Sequence, residues 1–181
     1  NLVQGNYIGL DVNVSVDLGT TKKEIAVVLT SNTKTVIGGT APGAGNVISG
    51  NGGDGVGIAD VGTTGTLVQA NKIGTNAAGT AGIPNTGAGV RCNLSLSNTT
   101  VGGTVASERN LIAYNGGAGV LLRADAGNAN SILGNATHSN GGTIGFSMDS
   151  PEQADAWHAA GAAAGGASCE SPPGVRDLGF T

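Results

Sequence analysis

Two long stretches of this chain are nearly the same text. Val36-Ile37-Gly38-Gly39-Thr40, Gly45-Asn46-Val47-Ile48 and Asn51-Gly52-Gly53-Asp54-Gly55-Val56 return as Val101-Gly102-Gly103-Thr104, Arg109-Asn110-Leu111-Ile112 and Asn115-Gly116-Gly117-Ala118-Gly119-Val120. Gly38 and Gly102, Asn46 and Asn110, Asn51 and Asn115, and Val56 and Val120 are all separated by the same interval. That interval also links Asn71 to Asn135, and Asn6 precedes Asn71 by one position more. A repeat of this length marks a stacked, quasi-one-dimensional architecture, so it restricts the fold before any single residue is weighed.

A shorter unit lies inside the long one. Asn46-Val47-Ile48-Ser49-Gly50-Asn51 is echoed by Thr66-Leu67-Val68-Gln69-Ala70-Asn71, and Asn110 to Asn115 is echoed at the same spacing by Asn130 to Asn135. The unit reads Asn-x-(Ile/Val)-x-x-Asn and first occurs at Asn1 to Asn6. It predicts three solenoid turns per long repeat, each of roughly 20 to 22 residues, with three short sides apiece. On that reading residues 1–150 hold about seven coils, stacked at about 4.8 Å per coil.

Strand patterning agrees. Apolar residues alternate in Val56-x-Ile58, Val90-x-Cys92-x-Leu94-x-Leu96, Val120-x-Leu122 and Ile144-x-Phe146-x-Met148. Period 2 places them on one face, the inside of a coil. No amphipathic helix pattern appears before residue 151. The 34 glycines recur in register with the apolar residues, as repeated tight turns require. They do not fall at every third position, which excludes collagen. Val3, Ile48, Val68, Ile112 and Ile132 are expected to form one inward apolar column. Asn6, Asn51, Asn71, Asn115 and Asn135 follow the short strands at a fixed distance and are expected to stack as a hydrogen-bonded ladder.

Gly5 to Gly9, Asn71-Lys72-Ile73-Gly74-Thr75-Asn76, Gly79-Thr80, Pro84-Asn85, Gly89-Val90, Val101-Gly102-Gly103-Thr104 and Asn110-Leu111-Ile112 together resemble right-handed parallel β-helix repeats. Such repeats occur in secreted bacterial proteins of pectate-lyase-like architecture. The resemblance spans residues 1–150 and implies an all-β, right-handed, single-stranded parallel β-helix. It also implies a secreted or cell-surface location. The fold hosts lyases, hydrolases, epimerases, phage tailspikes, adhesins and ice-binding proteins, so it implies no single activity.

Residues 151–181 leave the repeat. Ser150-Pro151-Glu152 has the form of a helix start, and a helix to about Ala160 would cap the open end of the solenoid. A disordered tail is the alternative. The chain begins mid-repeat at Asn1 without Met, which reads as a processed or truncated product. Lys and Arg number only 8 and are scattered in a chain of net charge −4, which argues against nucleic acid. No apolar run approaches the roughly 18 residues of a membrane span. End-to-end or lateral self-association is compatible with a solenoid. Cys92 falls at an inward strand position and is expected to be a buried free thiol, while Cys169 lies in the tail.

Chemistry is harder to place. Gly52-Gly53-Asp54-Gly55-Val56-Gly57-Ile58 resembles a Ca²⁺-binding nonapeptide, but Gly57 holds the ligand Asp position and the motif is not tandem. Asp54 is therefore a weak metal candidate, Ca²⁺ is the one ion to weigh, and no cofactor is expected. His138 and His158 lack partners at metal spacing. The outward charges Asp60, Arg91 and Arg123 are the best catalytic candidates if a site exists. Asp60 would bind a cation or act as acid or base, and the arginines would hold a sugar carboxylate. No Asp-Asp pair, His-Glu-x-x-His or Gly-x-Ser-x-Gly is present. The favoured function is a noncatalytic secreted or cell-surface module, acting as scaffold, adhesin or binder of a polysaccharide or cell-surface glycan. The alternatives are a carbohydrate-active enzyme, or a fragment of one, and an ice-binding surface.

Overall fold

The computed structural model describes residues 1–10, 25–137 and 144–146. They belong to the first of two units into which the chain divides, Asn1–Phe146 and Ser147–Thr181. The helical cap expected from Ser150, Cys169, His138 and His158 lie outside the described residues.

The strands are short. They are β1 (Leu2–Val3), β2 (Tyr7–Ile8), β3 (Val27–Thr30), β4 (Val36–Gly38), β5 (Val47–Ile48), β6 (Val56–Ala59), β7 (Leu67–Gln69) and β8 (Lys72–Ile73). Then follow β9 (Val90–Cys92), β10 (Thr100–Gly102), β11 (Leu111–Ile112), β12 (Val120–Leu122), β13 (Ser131–Leu133), β14 (Ala136–Thr137) and β15 (Ile144–Phe146). A 3-10 turn at Ala106–Glu108 is the one helical element among the described residues. Every third strand pairs in parallel. The first sheet runs β1-β4-β7-β10-β13, the second β2-β5-β8-β11-β14 and the third β3-β6-β9-β12-β15. The described residues thus form a three-sided, all-β parallel solenoid.

The coil is longer than the short sequence unit suggests. In the first sheet Leu2 pairs with Val36, Val36 with Leu67, Leu67 with Thr100, and Thr100 with Ser131. Each step takes about 32 residues, inside the usual range for a solenoid unit. The five strands of each sheet make about four turns, not seven. The stack is therefore about 19 Å from first to last strand.

The long repeat is two coils because their corners alternate. Between the first and second sheets the corner is long at 39–46 and 103–110 but very short at 70–71 and 134–135. Between the second and third sheets the loop is long at 74–89 and short at 49–55 and 113–119. Over the second to fourth coils a long corner with a short loop alternates with a short corner and a long loop. The short sequence match instead aligns β5 in the second sheet with β7 in the first sheet of the next coil. Both places need the same local residues. Ile48 and Val68 point inward and are fully buried. Gly50 and Ala70 then take φ of 71° and 57°, and an Asn follows each.

The core consists of columns along the axis. Val3, Ile37, Val68, Val101 and Ile132 align in the first sheet, and Ile8, Ile48, Ile73 and Ile112 in the second. In the third sheet Val27, Val56, Val90 and Val120 run beside Leu29, Ile58, Cys92 and Leu122. The expected column of Val3, Ile48, Val68, Ile112 and Ile132 is thus divided between two sheets, although all five join one apolar cluster. Ile112 is fully buried, and Ile112→Ala should cost about 2 to 5 kcal/mol in chemical denaturation, through lost transfer energy plus a cavity. An Ile112→Asp chain as stable as the parent would contradict this packing.

Two asparagine ladders tie the corners. Asn6, Asn46, Asn71, Asn110 and Asn135 precede the strands of the second sheet, and each Nδ2 donates to the Oδ1 of the next at 2.8–3.0 Å. Asn51, Asn85 and Asn115 form the second ladder at 2.7 and 2.9 Å. The single ladder expected from the sequence mixed members of both. Its five members share a preceding residue with positive φ, Gly5, Gly50, Ala70, Tyr114 or Gly134. Asn46 and Asn110 end long corners and Asn85 lies within the 74–89 loop; none follows a residue of positive φ, so spacing alone missed them.

Candidate functional site

The third sheet carries the charges singled out by sequence. Gly57, Arg91 and Leu121 align in register between the buried columns, so Arg91 points outward from β9. Its guanidinium forms an ion pair with Asp54 of the preceding coil. The Asp54 side chain is only 4% exposed, against 32% for Arg91. The other carboxylate oxygen of Asp54 accepts the Ala88 N–H at 2.7 Å. Gly87 permits this, because a Cβ there would lie 2.3 Å from Asp54 Oδ1. Asp54 therefore staples a connection onto the next coil.

The remaining candidates sit at the far end of this sheet. Arg123 follows β12, and its Nε lies 4.0 Å from Asp125, with both side chains half exposed. Asp60 follows β6 with φ 89°, and its carbonyl accepts the Thr63 N–H at 3.1 Å. Among the described residues no ion pair joins Asp60, Arg91 and Arg123 to one another; the arginines pair with Asp54 and Asp125 instead. No group of three or more His, Cys, Asp or Glu among the described residues is placed to hold a metal ion.

Removing Arg91 should act on stability. Its partner is buried and would keep an uncompensated charge. Breaking such a pair costs about 3 to 5 kcal/mol when fully buried and nearly nothing at the surface, so Arg91→Ala should cost roughly 2 kcal/mol. Urea denaturation measures it. An unchanged midpoint would show that the pair contributes nothing.

Cys92 is 2% exposed and carries a free thiol, as its inward strand position predicts. Burial pushes its pKa from 9.0 to about 12, so the thiolate needed for nucleophilic work is suppressed. Thr35, Thr66 and Thr99 stack and are buried, whereas Thr33 and Thr64 align in parallel with Ser97 nearer the surface.

A concave site lies elsewhere, on the outer face of the second sheet. Tyr7, Val47 and Lys72 are neighbours there on three successive coils. Their inward neighbours Ile8, Ile48 and Ile73 join the apolar core, which directs these three side chains outward. They line a cleft of about 300 Å³ with Gly5, Asn6, Gly43, Gly45, Asn46, Ala70 and Ala77. Val47 is buried, whereas Tyr7 is 55% exposed and offers much of its ring. Lys72 donates a hydrogen bond from Nζ to the Ala77 carbonyl in the 74–89 loop.

Local sequence explains the concavity. The long corner 39–46 and the long loop 74–89 belong to successive coils, so Gly43 and Ala77 contribute to one cleft. Gly45 packs closely on the next coil, since a Cβ there would lie 2.1 Å from the Ala70 carbonyl oxygen. The lining contains no carboxylate and no imidazole. Sequence reasoning did not place Tyr7 in a site. The usable signal was the offset from Asn6 to Asn71, which also makes Tyr7 and Lys72 equivalent positions two coils apart.

No helix among the described residues is long and apolar enough to cross a membrane. Comparison of the chain with known protein families, curated proteins and solved structures finds no match.

Proposed function

We propose that this chain is a noncatalytic β-helix module of right-handed, pectate-lyase-like type that binds a glycan on the outer face of its second sheet. Secretion or cell-surface display fits this role. The observation that carries the reading is the cleft of Tyr7, Val47 and Lys72. Its volume of about 300 Å³ lies at the small end of ligand sites, the size of one or two sugar rings. An aromatic ring with an apolar face and a polar tip suits a sugar, which has both kinds of surface. The exposed amide side chain of Asn6 and the backbone of the lining glycines add polar edges, while the buried Asn46 amide is engaged in the ladder.

Cleavage of a glycosidic bond by the usual paired-carboxylate route needs two acidic side chains astride the bond. The cleft lining supplies none. Outside it, Asp54 is engaged by Arg91 and Ala88. These facts favour binding over turnover.

The test is a panel of neutral and acidic oligosaccharides, assayed for binding and for product with and without Ca²⁺. Binding without product is expected, and Tyr7→Ala should weaken it at least tenfold while the fold persists. Product that disappears in Arg91→Ala, with the variant still folded, would replace this reading by the enzyme alternative.

A further inference from the structure

The cleft holds one cation and no anion. We infer, on the strength of the glycan reading above, that it selects sugars bearing an acidic substituent, a carboxylate or a sulfate. The anionic group would meet Lys72 while the sugar ring lies against Tyr7.

Three observations carry this. First, Lys72 and Tyr7 project from the same outer column of the second sheet, with Val47 between them. The geometry sets a ring contact at one end and a charge contact at the other. Second, the ammonium is tethered. One of its three N–H donors is taken by the Ala77 carbonyl, which leaves two for a ligand. That tether restricts a flexible side chain before binding, so less freedom is lost when an anion arrives. Third, the surrounding positions are small. Gly43, Gly45, Ala70 and Ala77 place no competing side-chain charge beside the ammonium.

The overall charge of the chain sharpens the class of ligand. At −4 the net field repels a dense polyanion, so attraction must come from Lys72 at short range. The fit is to an isolated acidic unit within or at the end of a glycan. An ammonium is a point charge without the planar fork of arginine, so carboxylate and sulfate both satisfy it.

The experiment is an NMR titration of the intact chain with matched disaccharides. The probes are one ending in glucuronic acid, its methyl ester, its neutral glucose counterpart and a 6-sulfated neutral disaccharide. The wild type should bind one or both anionic probes at least tenfold more tightly than the ester and the glucose form. Lys72→Gln should bring all four to similar affinity, and Lys72→Arg should retain the preference for anions. Tyr7→Ala should weaken every probe. Binding of neither anionic probe more tightly than the ester and the glucose form by the wild type would overturn the role of Lys72 and leave the glycan site standing. So would an anion preference that survives Lys72→Gln. Failure of all four probes to bind folded wild type would overturn the glycan reading itself.

Discussion

Replacing Asn71 by Leu should lower the unfolding free energy by roughly 3 to 6 kcal/mol, because it orphans several buried polar groups at once. Asn71 is 1% exposed at the middle of the longer ladder. Its Oδ1 accepts both the backbone N–H and the Nδ2 of Asn46, at 3.1 and 2.8 Å. Its Nδ2 donates to the Ile37 carbonyl at 2.9 Å and to Asn110 Oδ1 at 3.0 Å. Leu offers neither donor nor acceptor. Each group left buried and unpaired costs about 1 to 3 kcal/mol, and at least two are created. Since a domain is stable by only about 5 to 15 kcal/mol, the variant should sit near the limit of folding. Asn135→Leu, at a less buried rung with two ladder contacts from Asn110, should cost less. Urea denaturation of the two variants measures the difference. Equal and small effects would mean that the ladder is decorative and that apolar columns alone hold the coils.

Gly38→Ala should be of similar size for a steric reason. Gly38 has φ of 84°, where an L side chain is already strained. A Cβ there would lie 1.9 Å from the Gln69 carbonyl oxygen and 2.6 Å from Asn71 Oδ1. Neither atom can yield without moving the backbone of the next coil or breaking the ladder. Gly9, Gly74 and Gly102 meet the same obstacle, with carbonyl oxygens 2.0 to 2.2 Å from the added atom. Strain at positive φ and overpacking each cost about 1 to 3 kcal/mol, so the sum should be roughly 3 to 5 kcal/mol. Gly43 is the control. Its φ is 77°, but a Cβ there meets nothing within 4 Å. Gly43→Ala should therefore show only the backbone part, about 1 kcal/mol. Thermal denaturation of both variants compares the two. Indistinguishable midpoints would show that the close approach between coils is relaxed in solution.

These two residue types explain why the architecture was legible and its pitch was not. The parallel solenoid follows from apolar alternation and from glycines that recur in register. Val56, Ile58, Val90 and Cys92 all face inward as their spacing predicts. Alternation fails at Leu94, which is 48% exposed, because Leu94 and Ser95 turn the chain at φ of 57° and 59°. The pitch was obscured by chemistry shared among corners. A polar residue, an inward aliphatic residue, a left-handed residue and an Asn satisfy the first sheet and the second equally well. Similarity between faces then imitates similarity between coils. The alternation of long and short corners hid the true step further, since consecutive rungs of the long ladder are separated by 40, 25, 39 and 25 residues.

The site was less legible than the fold. Sequence reasoning favours charges, and Asp60, Arg91 and Arg123 were the visible ones. Arg91 is held by Asp54, a pairing that depends on how residues 84–89 fold back over Asp54. Nothing in local spacing announces that contact. The cleft depends on two loops of unrelated sequence, in successive coils, reaching the same outer column. Once the true strand register is known, Tyr7, Val47 and Lys72 fall into one line. Without it they are scattered.

Backbone amide NMR of the labelled chain during titration with a bound oligosaccharide tests the central claim most directly, because it reports the location of binding and any product in one experiment. Saturable shifts confined to residues around Tyr7, Asn46, Val47 and Lys72, with the sugar recovered intact, are the expected result. Shifts centred on Arg91 and Arg123 of the third sheet, or the appearance of cleaved sugar, would contradict it.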